Sequence, residues 1–232
     1  MNMKRFLLFI CFLLVISLSS CSSNLTLKKA FSKLNETTYS VSGRVMYKST
    51  VIKDGEKESS STGISFSAKC DRDKMLITYK QGLNYIDVYY KIEGDYLKSY
   101  TMQNNRWVLL DIEDIEEYDN LLVDFDYSVL GKFDKCGNVY YGDCSTLNEE
   151  AKDSFISLCE DQIGEIEFEL TEFGFNKYNI ILVKNQLNYL DIECFMSLNL
   201  DGYSIEIEVT EVLRFFDIGE VVVEEPDGLP IE

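Results

Sequence analysis

Histidine is absent from the 232-residue chain. That absence removes the commonest general base, the histidine-driven nucleophile relays and the usual zinc ligand. Positive charge is scarce, with 22 Lys and Arg against 40 Asp and Glu, and no basic cluster offsets the balance. A field of net charge -18 repels phosphate backbones and anionic headgroups, so nucleic acid is excluded as a partner. Proline is nearly missing, and both residues, Pro226 and Pro230, fall in the last ten positions. No G-x-x-x-x-G-K-[ST] or G-x-G-x-x-G phosphate loop occurs, and no G-x-S-x-G nucleophile elbow. The dense acids from Asp111 to Asp119 lack the spacing of a calcium loop, and Glu165 and Glu167 are the wet-face acids of any alternating strand. The sequence therefore predicts no catalytic residue, no metal and no cofactor. A non-enzymatic protein is expected.

What is present is apolar and aromatic: hydrophobic residues make up 46% of the chain, with 15 Tyr and 14 Phe. That composition builds a sizeable core. The first twenty residues have the layout of a secretory signal, with Lys4 and Arg5, an uncharged stretch from Phe6 to Ile16, then small polar residues. The stretch falls short of the roughly 20 residues that span a bilayer, so cleavage is expected. Seven cysteines are present; Cys11 lies in the signal, Cys21 follows it, and Cys70, Cys136, Cys144, Cys159 and Cys194 remain in the body. An odd set leaves one thiol outside any intramolecular pairing. Cys136 and Cys144 flank a turned segment and are the candidate disulfide, with buried thiols as the alternative. No CxxC motif occurs.

Leu18-Ser19-Ser20-Cys21 resembles the lipobox of bacterial lipoproteins. The resemblance covers the first 21 residues. It implies a diacylglycerol thioether on Cys21, cleavage just before it, and a covalent lipid holding the protein to the cell membrane or outer membrane on its extracytoplasmic side. Two acyl chains, at about 0.8 kcal/mol per buried CH2, suffice for lasting attachment.

The predicted organisation is a signal peptide over 1–20, a lipidated tether over 21–27, a β-rich globular domain over 28–224 and a tail over 225–232. Leu27, Ala30, Phe31 and Leu34 have helical spacing. From Tyr39 the period becomes two. A strand is expected there, then a polar hairpin loop from Lys53 to Thr62, then a strand from Gly63 to Cys70. Alternation continues over Lys74 to Lys80, Asn84 to Ile92, Tyr96 to Met102 and Arg106 to Leu110. Asp111 to Phe133 and Asn148 to Cys159 read as helices, with a short strand over Asn138 to Tyr141 between them. Strands return over Glu165 to Thr171, Asn179 to Lys184, Asp191 to Leu198 and Ser204 to Val212, and the proline-bearing end is read as a tail leaving the sheet.

The fold class expected is α+β, a single large curved antiparallel sheet with helices on its concave face. The order of helix, meander, helical insert and strands over residues 26 to 226 resembles the LolA/LolB-like and LppX-like lipoproteins. That resemblance implies an open half-barrel holding acyl chains or lipid. Tyr85, Tyr89, Tyr90 and Trp107 are the candidate ligand-lining residues, weighed against a plain core role. Tyr85 and Tyr89 lie opposite in parity to Ile86, Val88 and Tyr90, the pattern of a strand covered on both sides or facing a lined cavity. The function expected is a monomeric, membrane-anchored, non-catalytic module holding an apolar ligand. The alternative is an envelope interaction lipoprotein with a packed core and an acidic partner-binding face.

Overall fold

The computed structural model describes residues 25–114, 133–142, 169–200 and 202–230. These comprise helix α1 (Leu25–Asn35) and eleven strands: β1 (Tyr39–Lys53), β2 (Glu56–Cys70), β3 (Lys74–Gln81), β4 (Asn84–Glu93), β5 (Tyr96–Gln103), β6 (Arg106–Asp114), β7 (Phe133–Cys136), β8 (Val139–Gly142), β9 (Glu169–Val183), β10 (Gln186–Leu200) and β11 (Tyr203–Phe216). All eleven join one antiparallel sheet in the order β6-β5-β4-β3-β2-β1-β11-β10-β9-β8-β7. The sheet is unclosed, with β6 and β7 at its ends. The single large antiparallel sheet expected from the alternation is therefore present. The helices expected within 111–133 and 148–159 lie mainly outside the described residues.

Two expectations are corrected. The polar run Lys53 to Thr62 is strand rather than loop, because Asp54 and Gly55 alone make the reversal, at φ 51° and 83°. Two positive φ values in a two-residue turn match the right-handed twist of the flanking strands. The hydroxyls that made the run look like loop instead face one another across the hairpin, Ser49 with Ser60 at 2.8 Å and Thr50 with Ser59 at 2.9 Å. The second correction concerns the acidic segment, whose first four residues, Asp111 to Asp114, extend β6 instead of starting a helix. They pair with Tyr96 to Ser99 of β5 beyond a bulge. A ladder partner outweighed the local spacing there. Residue Phe133, read as the end of that helix, begins β7.

The described chain divides into two compact units, each with its own core. The first takes residues 1–31, 45–63 and 123–212, and the second 32–44, 64–122 and 213–232. In the first, β10 buries Leu190, Ile192, Cys194, Met196 and Leu198, every second residue, as the pleat requires. Leu170, Phe173, Leu200, Ile205 and Ile207 pack around Met196 and Leu198. Edge-on rings continue this core, Phe173 with Phe175 at 5.6 Å and Phe175 with Tyr178 at 5.9 Å. In the second unit, Tyr39 meets Phe215 edge-on at 5.8 Å, and Ala68, Cys70, Met75, Ile77, Tyr79 and Val88 are buried. Here Gly219 N–H donates to the Thr38 carbonyl at 2.7 Å, tying the end of β11 to the start of β1.

One close approach within the first unit depends on a missing side chain. Gly174 pairs with Phe195 across the β9–β10 ladder, and a Cβ on Gly174 would lie 2.8 Å from the Phe195 ring. The ring occupies the space a side chain would take. Replacing Gly174 with Val is expected to lower stability by about 1–3 kcal/mol through overpacking. Urea unfolding of the variant checks this, and an unchanged midpoint would contradict the packing described.

Candidate functional site

Alternation along β11 sorts its acids onto two faces. Glu206 and Glu208 are exposed, whereas Glu211 has the opposite parity and falls in line with Ile205, Ile207 and buried Val209. Lys48 of β1 reaches Glu208 at 2.8 Å, and Lys53 donates to the Tyr203 hydroxyl at 2.7 Å while lying 4.4 Å from its ring centre. These contacts place ascending β1 against descending β11. On the other face, Val45 of β1 is fully buried, and Cys194 of β10 is 2% exposed.

Glu211 is 1% exposed, and neither of its carboxyl oxygens reaches a hydrogen-bond partner among the described residues. Burial pushes its pKa up to about 8, making it a weaker acid. Two neighbours register the carboxylate: the Tyr47 hydroxyl and the Cys194 thiol are each pushed up by burial first and by Glu211 second, Cys194 to about 12. A thiol so held is protonated and unreactive. The first unit thus holds a carboxyl group shut away from water, a placement that is costly unless the group is neutral. Sequence reading missed Glu211. Its parity, odd where Glu206 and Glu208 are even, was the signal available.

The sequence-predicted ligand-lining residues do not form one surface. Tyr89 is fully buried against Tyr100 at 6.2 Å and Trp107 at 6.4 Å. Val221, Val223 and Leu229 pack over this cluster, so the end of the chain stays on the second unit rather than leaving the sheet. Lys91 fastens it by bonding Glu225 at 3.0 Å, and the Tyr89 hydroxyl has its pKa raised by burial first and by the Glu225 charge second. Tyr85 is 65% exposed near the β3–β4 turn, with Lys80 5.5 Å from its ring centre. Tyr90 is half-buried on the opposite face, beside Val88 in sequence parity. Both faces of β4 are therefore covered over its middle, as its two apolar parities required. Cys136 is exposed at the β7–β8 turn, and both Cys21 and Cys144 lie outside the described residues.

Among the described residues no helix is long and apolar enough to cross a membrane, and no group of three or more Cys, Asp or Glu is placed to hold a metal. No family model matches the chain, and no curated protein matches it. Solved structures give distant overlaps. A putative outer membrane lipoprotein-sorting protein domain from Vibrio parahaemolyticus is 10% identical over 86% of this chain and 95% of its own, at a TM-score of 0.23. A DUF1329 family protein from Desulfovibrio piger is 11% identical over 85% and 92%, at 0.24. Ail, the attachment invasion locus protein of Yersinia pestis, solved with the heparin analogue sucrose octasulfate, is 9% identical over 78% and 99%, at 0.26. Overlaps this loose carry no argument about function.

Two outcomes follow from these groups. The chain has a single tryptophan, and Trp107 belongs to the cluster under Val223. Val223→Asp is expected to loosen the terminal segment and move tryptophan emission to longer wavelength. Unmoved emission would show that Val223 does not shield the ring. For Glu211, folding raises the proton affinity from the ordinary 4.5 to about 8. Between those values the folded state keeps a proton that the unfolded state has lost, so stability falls as pH rises through the window and levels off above it. The slope contributed is about 1.4 kcal/mol per pH unit at most. Glu211→Gln should flatten a plot of unfolding midpoint against pH over that window; equal slopes would refute the assignment.

Proposed function

We propose that the chain is a membrane-anchored, non-catalytic module that holds an apolar ligand, a lipid or acyl chain, and is tethered through a lipid on Cys21 at the extracytoplasmic face of a cell envelope. The observation that carries the reading is the one-sided apolar face of β1, β10 and β11 in the first unit, where Val45, Val209, Ile192, Cys194 and Met196 are all buried. Burial of a ligand's chain against such a face is worth about 25 cal/mol per Å² of apolar surface and requires no reacting group. The lipobox resemblance supports the tether. A disulfide between Cys136 and Cys144 belongs to the same extracytoplasmic reading.

A second reading, an envelope interaction protein, is favoured by exposed Glu169, Glu172 and Glu206 on strands of the first unit. Such acids suit a cationic partner. Native mass spectrometry of the full chain from its own membranes separates the two. Adducts that dissolve in organic solvent and fragment as acyl lipids are expected for the ligand module. A clean apo mass would move the assignment to the interaction reading. The same spectrum checks the anchor, since a mass beginning at Cys21 plus diacylglycerol is expected and an unmodified Cys21 would overturn it.

A further inference from the structure

The polar exception on the apolar face of the first unit bears on which ligand fits there, an inference that rests on the ligand reading above. Glu211 is held in the middle of that face, between β1 and β10 in the sheet order, with 1% of its surface exposed. Lys48 and Lys53, the cations of the adjoining β1 segment, are engaged by Glu208 and Tyr203, so neither neutralises it. The groups that feel its charge are Tyr47 from β1 and Cys194 from β10, both acids. A carboxyl in this setting keeps its proton, and a neutral carboxylic acid presents one O–H donor beside one carbonyl acceptor. Both of its oxygens lack a partner among the described residues.

Buried polar groups are ordinarily satisfied, and an adjacent donor and acceptor that go unmet on an apolar face define the complement: a group offering an acceptor and a donor on one carbon, carried on an apolar chain. A carboxylic acid is that group. The chain's net charge of -18 disfavours the phosphate heads that a two-chain phospholipid would bring.

We propose that Glu211 is the head-group hook of a fatty-acid site, donating to and accepting from the ligand's carboxyl while the alkyl chain lies along the apolar face of β1, β10 and β11. Binding is non-covalent. The ligand enters as the protonated acid, and its affinity depends on both hydrogen bonds.

The full chain in phosphatidylcholine vesicles tests this with two photoprobes, palmitic acid carrying a mid-chain diazirine and the methyl ester of the same probe. Labelled peptides are mapped by mass spectrometry. The acid is expected to label β10 and β11 in the native chain and to lose about tenfold in labelling with Glu211→Leu, the loss of a buried hydrogen-bonded pair. Glu211→Gln, which keeps a donor and an acceptor, should stay within about twofold of the native chain. The ester has no donor but keeps the carbonyl acceptor, so it should lose less labelling than the acid on Glu211→Leu, and its remaining labelling of the sheet reports that the Leu variant is folded. Equal acid labelling of the native and Leu chains would overturn the hook and leave the apolar-ligand reading standing. Failure of both probes to label the sheet of the native chain would overturn both.

Discussion

The constraint from which this structure follows is that one continuous hydrogen-bonded ladder must keep one of its two pleated faces out of water. Antiparallel pairing satisfies the backbone groups of each strand, and the pleat then sends alternate side chains to opposite sides. On β10 the result is strict: Leu190, Ile192, Cys194, Met196 and Leu198 are buried while their neighbours are half-buried or exposed. The register of every strand is tied to that choice, since a slip of one residue would exchange the two faces. Where the ladder does shift, between Leu187 and Tyr189, Glu193 and Cys194, and Ser197 and Leu198 against β9, bulges absorb the difference.

Within that scheme the buried polar groups are the informative departures. Tyr89 brings a hydroxyl into the core of the second unit, where Trp107 and Tyr100 surround its ring and the chain end covers it. An amphipathic ring tolerates this, because most of its surface is apolar. Glu211 is different in kind: its side chain is small, its head is entirely polar, and burial of the ionised form would cost several kcal/mol. A group like that weakens the fold across the neutral pH range, and natural chains keep such weaknesses where they serve a site. The fatty-acid hook gives the group a use that core packing alone does not.

Much of the sheet was legible in the sequence because period-two alternation needs no knowledge of partners. The meander from Lys74 to Leu110 was readable strand by strand, and α1 was readable from Leu27, Ala30, Phe31 and Leu34. The polar strand over Glu56 to Thr62 was not, since serine and threonine hydroxyls signal loop unless a facing strand supplies Ser49 and Thr50. The strand at Asp111 to Asp114 was hidden for the same reason: four residues of acid and apolar side chains fit either period until β5 lies alongside. Of the aromatic residues singled out, Tyr89 packs edge-on against Trp107, Tyr85 is exposed, and Tyr90 lies on the opposite face of β4, an arrangement that depends on which strands flank β4.

By itself the sequence determined the acidic charge, the lack of histidine chemistry, the lipobox-like start and the local repeat of strand and turn. These depend on composition and on neighbours a few residues apart. The tertiary structure decided that β1 lies beside β11, that the proline-bearing end packs on the cluster of Tyr89 and Tyr100, and that Glu211 alone among the acids of β11 is buried. Those outcomes depend on residues some 160 positions apart, as between Lys48 and Glu208, and only chain pairing brings such residues within reach of one another.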